Sequence, residues 1–260
     1  MTSIAQTKPV TMADFDPFAR MYNEYWGPHY CTTNLPILET LLLNNLPTHA
    51  QLLDLCCGTG QLLAQLSQKS FHLTGLDASA QMLHYAALNA PQASLICNDI
   101  LAWIPPSEQF DAVLSTSASL NHILTLDDLS RVFRKVYQSL ISGGTFLFEF
   151  NLPEVYQSMH AEKEGDVRED YAWASICEYD GAQNLGQIHM TLFTPKGDLW
   201  QRQDRQWPLR GYTYLELQSC LEQVGFQAIA FYDAEREFNV VGAAGDTFCI
   251  ARKPSSAATT

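Results

Sequence analysis

The sequence predicts an α/β protein, a doubly wound sheet that is mostly parallel with a C-terminal antiparallel strand and that carries an inserted antiparallel β meander. Three observations predict it. Between about residues 50 and 150, short β-type apolar runs alternate with segments of helical period, the pattern of a parallel sheet covered on both faces. The first run passes directly into a glycine turn, Cys57-Gly58-Thr59-Gly60, and then into a helical segment. Between about 171 and 207, three β-type runs follow one another with turn residues and no helix between them.

Residues 14–46 read as two helices, one carrying Phe15, Phe18, Tyr22, Tyr25 and Trp26, the other beginning near Pro36, a favoured first-turn residue. Core strands are expected at 51–57, 71–77, 93–98, 110–115 and 145–150, with helices near 60–69, 79–89 and 127–140. In the last helix Leu129, Val132, Phe133, Val136 and Leu140 share a face. Thr125 and Asp128 suit its N-cap and N3, and Gly143-Gly144 is expected to end it. The acidic stretch 151–170 reads as a solvated loop. The meander runs are 171–179, 185–194 and 199–207, separated by Asp180-Gly181 and Pro195-Lys196-Gly197-Asp198. Thr213 with Glu216 forms a capping box for a helix ending at Gly225, before closing strands at 226–232 and 247–252. The expected organisation is an N-terminal helical cover (1–46), a core (47–152 and 208–253), a meander lid (153–207) and a disordered tail (254–260).

Composition narrows the function. Lys and Arg number 15 against 28 Asp and Glu, a formal charge of −13, and both halves are acidic when the chain is split at residue 150. A polyphosphate would be repelled, so nucleic acid is not an expected partner. Apolar residues at 47% and the lack of any run near the roughly 20 apolar residues of a membrane span argue against disorder and against membrane insertion. The seven cysteines are odd in number and lack paired zinc-ligand spacing, so they read as free thiols in a reducing cytoplasm, with no metal site. The N-terminus shows neither the basic start nor the apolar stretch of a secretory signal, which agrees with a cytoplasmic location.

Chemistry concentrates at strand ends. Gly58 and Gly60 follow the first strand, where a ligand approaches bare backbone at the switch point of the sheet. A dinucleotide site would want a third glycine at position 63, which is Leu, and the P-loop lysine is missing, so a nucleotide-dependent oxidoreductase is disfavoured. Asp77 closes the second strand, in a place to accept ribose hydroxyls, and Asp99 closes the third, in a place to meet an adenine amino group. Each alone reads equally as a strand-end cap.

DLCCGTG (54–60), GLDAS (75–79), CNDI (97–100), FDAVLSTSASLNHI (110–123) and GGTFLFEFN (143–151) together resemble the successive motifs of the class I S-adenosylmethionine-dependent methyltransferases, over roughly residues 48–152. The resemblance implies a Rossmann-like fold, an enzyme and S-adenosyl-L-methionine as cofactor, released as S-adenosyl-L-homocysteine. It places Gly58 and Gly60 against the methionine portion, Asp77 at the ribose, Asp99 with Ile100 at the adenine, Ser117 and Asn121 near the methyl group, and Asp54 as an orienting residue. Tyr22 is expected to lid the cofactor, although aromatic residues at helical spacing also serve as packing.

The implied reaction is in-line displacement to N or O of a small-molecule acceptor, accelerated by holding the reacting atoms collinear in a dry pocket. His122 is the best base candidate, its alternative being a loop histidine bonded to a backbone carbonyl. His189 ranks below it. Trp26, Asn121, Asn151 and Arg210 are expected to bind the acceptor, with Glu149 and Tyr212 close by. Arg202, Arg205 and Arg210 read either as anion ligands or as protection of exposed strands. The meander is expected to cover the substrate or to form a two-fold dimer surface. The Pro-Pro-aromatic tetrapeptide of amino-methylating nucleic acid enzymes is absent after strand four, where Ser115-Thr116-Ser117-Ala118-Ser119 stands. A noncatalytic cofactor-binding module of the same fold is the alternative.

Overall fold

The structure, a computed structural model, describes residues 12–241, 243 and 245–255, so the start of the expected cover and most of the expected tail lie outside the described residues. Its main sheet has seven strands in the order β10-β11-β5-β4-β1-β2-β3. These are β1 (Gln51–Leu55), β2 (His72–Asp77), β3 (Ser94–Cys97), β4 (Phe110–Ser115), β5 (Leu140–Asn151), β10 (Gln227–Asp233) and β11 (Asp246–Arg252). β1 to β5 pair in parallel, and β11 runs antiparallel to both its neighbours. The central strands are rich in buried apolar residues because helices cover both faces, with Asp54 and Glu149 as buried acidic exceptions toward the strand ends. Leu53, Leu55, Val113, Phe146 and Phe148 pack beneath α5 (Leu126–Ser139) and α7 (Tyr214–Val224) on one side. Leu52, Leu114 and Leu147 pack beneath α2 (Gly27–Leu41), α3 (Gln61–Leu66) and α4 (Ala80–Asn89) on the other. The caps expected at Thr125 and Thr213 are formed, and Gly225 is left-handed at the end of α7.

The expected helix stop at Gly143-Gly144 is not the stop. α5 ends at Ser139 and Leu140 is already extended. The glycines instead shape a kink within β5, where Gly143 has φ +81° and the register with β4 slips between Phe110 and Ala112.

The two expected N-terminal helices are one nearly continuous run: a 3-10 stretch Met12–Phe18, α1 (Ala19–Met21), a π turn Tyr22–Trp26, and α2. Pro36 lies inside α2, and Pro28 occupies the first turn instead. Gly27 permits the close passage of this run over α3, since a Cβ there would lie 2.7 Å from Gln61 Oε1.

The insertion forms a second, four-stranded antiparallel sheet in the order β6-β7-β8-β9: β6 (Lys163–Val167), β7 (Ala172–Asp180), β8 (Leu185–Lys196) and β9 (Leu199–Arg210). Its first strand and α6 (Pro153–Ser158) replace the expected acidic loop. Charged residues suit β6 because it is an exposed edge. Gly165 lets it approach β7, as a Cβ there would lie 2.7 Å from the Trp173 carbonyl oxygen. The apolar face of the sheet, with Trp173, Met190, Leu192 and Trp207, packs on Phe18 and Met21 of the N-terminal run. The chain leaves and returns to the core at one point, where Gly211 is pressed so close to Pro153 that a Cβ would meet its Cα at 2.5 Å. The last helix, α8 (Ala234–Phe238), joins β10 toward β11.

All seven cysteines are free thiols. Among the described residues no helix is long and apolar enough to cross a membrane, and no group of three or more His, Cys, Asp or Glu side chains could hold a metal ion.

Candidate active site

The glycine turn is built by close approach. Gly58 and Gly60 have φ +52° and +77°, and a Cβ on Gly60 would lie 2.9 Å from the Cα of Ala86 in α4. Both the backbone conformation and the space therefore demand glycine. The glycine wanted at position 63 is on the neighbouring strand: a Cβ on Gly75 would lie 2.6 Å from Leu63 Cδ1 and 2.8 Å from Cys57 Sγ. The Leu63 side chain of the helix thus takes up the space that the missing Gly75 side chain leaves on the strand.

Asp77 binds this turn together. Its Oδ2 accepts from the Gly58 N–H at 2.9 Å and its Oδ1 from the Ser79 N–H at 2.8 Å. Burial pushes its pKa up to about 6 against the pull of those N–H groups. Asp54 is buried beside it, and burial followed by the Asp77 charge raises its pKa to about 7. Asp99 turns the chain after β3 by accepting from the Leu101 N–H at 2.7 Å, while Ile100 packs into the core.

The N-terminal run closes over this turn. The Tyr22 ring lies against Gly58, 3.4 Å from where a Cβ would stand, and its phenol bonds Ser117. Gln61 donates to Asn23 Oδ1 at 2.9 Å, and Asp16 accepts from the Ser79 hydroxyl and the Gln81 N–H. A cleft of about 30 Å³ remains over the turn, lined by Tyr22, Asp54, Cys56, Gln61, Thr116 and Ser117 among others.

A larger cavity of about 350 Å³ adjoins it. Phe15, Tyr22 and Trp26 from the N-terminal run, Ser117 and His122 from the segment after β4, Asn151 at the end of β5, Tyr156 of α6 and Trp207 of β9 contribute walls. Phe15 stacks on Trp207 with ring centres 4.3 Å apart and meets His122 edge-on at 5.4 Å. One His122 ring nitrogen bonds the Pro208 carbonyl, and Nδ1 is buried without a protein partner. Burial lowers the His122 pKa to about 4, so the ring is neutral at physiological pH with a bare lone pair. The Asn151 Oδ1 and Trp207 Nε1 are likewise buried and unpartnered, and the buried Tyr156 hydroxyl faces the Asn151 side chain.

Glu149, expected to meet the acceptor, instead accepts from the Ser117 N–H at 2.7 Å and from the Asn34 amide of α2. Burial pushes its pKa up to about 8. It steadies a segment in which Ser117 and Ala118 both have positive φ, +57° and +49°.

The structure brings Tyr22, Trp26, Ser117, His122 and Asn151 to the larger cavity and Asp54, Gly58, Gly60 and Asp77 to the turn beside it. Asn121 and Arg210 are not among the cavity walls. Asn121 is spent on backbone: its Nδ2 donates to the Asn151 and Arg210 carbonyls at 2.9 and 2.6 Å, and its Oδ1 accepts from the Asn151 N–H at 3.0 Å. It staples the two points where the insertion leaves and rejoins the core. Arg210 pairs with Glu216 at 2.7 Å and donates to the Leu124 carbonyl, and the Tyr212 hydroxyl donates to the Ile123 carbonyl. His189 pairs with Glu178 outside the cavity. Sequence reasoning missed Asn34, Tyr156 and Trp207 as site residues. The stretch 151–170 reads as a loop in the sequence, so nothing local pointed Tyr156 of α6 inward.

A methyltransferase domain model matches residues 52–144. The putative methyltransferase YqeM of Bacillus subtilis is 32% identical over 192 residues, covering 70% of this chain and 76% of that one. The dTDP-3-amino-3,4,6-trideoxy-alpha-D-glucopyranose N,N-dimethyltransferase of Streptomyces venezuelae is 28% identical over 161 residues, 61% of this chain and 68% of that one. Among solved structures, a S-adenosylmethionine-dependent methyltransferase from Clostridium acetobutylicum superposes with a TM-score of 0.72 at 21% identity, covering 94% of this chain and all of that one. The glycine turn, the strand-end acids and these likenesses define one class: the chain belongs to the class I S-adenosylmethionine-dependent methyltransferases, and its cofactor is S-adenosylmethionine. The residues present fit that cofactor, because bare backbone at Gly58 lies beneath Tyr22 and a buried acid, Asp54, lines the same cleft.

Proposed function

We propose that the chain methylates N or O of a small-molecule acceptor held in the 350 Å³ cavity. One observation carries this reading: Tyr22 and Ser117 line both that cavity and the cleft over the glycine turn, so the two spaces meet at a shared wall. Bound over the glycine turn, where the 30 Å³ cleft has to widen to admit it, S-adenosylmethionine would supply a methyl group on a sulfonium that departs as a neutral thioether. Gly58 and Gly60 would hold its methionine portion and Asp77 its ribose. Asp99 and Ile100 stay the proposed adenine neighbours, Asp99 through the side of its carboxylate not used on the Leu101 N–H.

The chain's own work is positioning. The bare His122 Nδ1 accepts a hydrogen from the acceptor and turns its lone pair toward the shared wall. Phe15, Trp26 and Trp207 exclude water, and Asn151 offers a second acceptor atom. The N-terminal run and the second sheet act together as the lid. Incubation of the full chain with S-adenosylmethionine and a library of amines, phenols and alcohols tests the proposal. Formation of S-adenosylhomocysteine with a methylated product is expected, and cofactor binding with no turnover of any acceptor would favour a binding module instead.

A further inference from the structure

We infer that Arg210 and Tyr212 are positioning residues for His122, fixing which ring nitrogen turns to the cavity, an inference that rests on the hydrogen-accepting role proposed above for that ring. The segment 121–124 is docked, residue by residue, on the outer edge of β9 and the turn that follows it. Proline has no N–H, so Gln187–Pro208 is a non-hydrogen-bonded pair of the β8–β9 ladder, and so, two residues on, is Leu185–Arg210. The carbonyls of Pro208 and Arg210 therefore point away from β8, off the free edge of the sheet. Asn121 donates to the Arg210 carbonyl at 2.6 Å, and the His122 ring donates to that of Pro208.

Two side chains return the bonds. The buried Tyr212 hydroxyl donates to the Ile123 carbonyl, and Arg210 Nη1 donates to the Leu124 carbonyl at 3.1 Å. Arg210 is itself held: its Nη2 pairs with Glu216 Oε1 at 2.7 Å, and its guanidinium lies over the Tyr212 ring, 5.0 Å from the centre. The other Glu216 oxygen, Oε2, accepts from the Thr213 N–H at 2.9 Å, so one carboxylate ties the start of α7 to the arginine.

The consequence falls on the ring. A carbonyl only accepts, so the His122 nitrogen that meets Pro208 carries the hydrogen, and that nitrogen is Nε2, because Nδ1 has no protein partner. The neutral ring has one such hydrogen, which leaves the lone pair on Nδ1. Phe15, edge-on to the ring at 5.4 Å and stacked on Trp207 of the same strand, limits its rotation. A slip of the segment along the edge of β9 would cost the Pro208 bond and leave the two tautomers to compete. Neither Arg210 nor Tyr212 is a wall of the cavity, so both act through the segment and not on the acceptor.

Long-range proton–nitrogen correlation spectra of the full chain labelled with nitrogen-15 histidine, recorded at neutral pH, test this. The His122 signals are assigned by their loss in His122→Gln. The parent is expected to show the Nε2–H tautomer alone. Arg210→Met, which keeps the aliphatic stem, and Tyr212→Phe, which keeps the ring, are each expected to bring in the Nδ1–H tautomer at about a tenth or more of the population, and the double variant more. Asp233→Ala removes the cap that α8 takes at the Arg236 N–H and serves as a variant destabilised elsewhere; it is expected to melt lower and to keep the parent tautomer. An Nδ1–H ring in the parent, a single unchanged tautomer in the folded Arg210 and Tyr212 variants, or the same mixture in Asp233→Ala overturns the inference. The reading beneath it fails differently: undiminished kcat in His122→Ala would remove the ring from the reaction and leave the tautomer result as it is.

Discussion

The two ends of the ligand space differ in how their polar groups are served. At the cofactor end most polar side chains are already tied to the chain: Asp77 holds two backbone N–H groups, Gln61 holds Asn23, and Asp16 holds Ser79. At the acceptor end His122 Nδ1, Asn151 Oδ1 and Trp207 Nε1 have none. Buried polar atoms without partners are costly, so they mark where the protein waits for something it does not itself supply. The first end is shaped by backbone and is closed by the N-terminal run. Admission of the cofactor therefore requires the Asp16–Ser79 and Asn23–Gln61 contacts to part.

Breaking the backbone-shaped end has the largest expected effect. Gly60→Val combines a left-handed φ with a clash against Ala86, and loss of cofactor binding with destabilisation of about 2 kcal/mol or more is expected by calorimetry and thermal melting. At the acceptor end, His122→Ala is expected to lower kcat about a hundredfold while leaving the cofactor Kd unchanged, which steady-state kinetics with a separate titration would read.

Asn121→Ala sharpens the contrast from within, because it sits beside the acceptor end but serves only backbone. A stability loss of about 1–3 kcal/mol with an unchanged acceptor KM is expected in denaturant unfolding and kinetics. Glu149→Gln is expected to match the parent most closely below about pH 4.5 and to depart from it as pH rises. Burial, with Asp246 nearby, raises the folded pKa of Glu149 to about 8 from the ordinary glutamate value of 4.5, so across that window the folded chain holds a proton the unfolded chain has released. The stability this contributes is fully present below about pH 4.5 and is lost as pH rises through 8. His122 works in the opposite sense, gaining stability as pH rises from about 4 to 6.5. Glu149→Gln should therefore melt with a flatter pH dependence between 4.5 and 8 than the parent, a comparison that thermal scans in a buffer series would make.

The same contrast explains what the sequence discloses. Strand, glycine turn and helix at 51–66 are contiguous, so their pattern survives in one dimension, and Asp77 lies only one strand further on. Tyr156, Trp207 and His122 come from a short helix, a meander strand and a core loop, and only packing of the N-terminal run against the second sheet brings them together. Local signals misled where tertiary contacts outweighed them. Pro36 suggests a helix start, yet it sits in an interior turn of α2 whose neighbours Ile37 and Leu38 are buried on the core. Gly143-Gly144 suggests a helix stop, yet strand pairing claims them. Asn121 and Arg210 have the chemistry of ligand-binding residues and are consumed by backbone and Glu216 instead.

The most direct test of the account is titration of S-adenosylhomocysteine into the full chain and into Asp77→Ala, with melting temperatures recorded for both. The account predicts saturable one-to-one binding to the parent and binding weakened about a hundredfold or more in the folded variant, since Asp77 shapes the glycine turn and is the proposed partner of the ribose. Absence of binding to the parent, or equal affinity for both proteins, would contradict it.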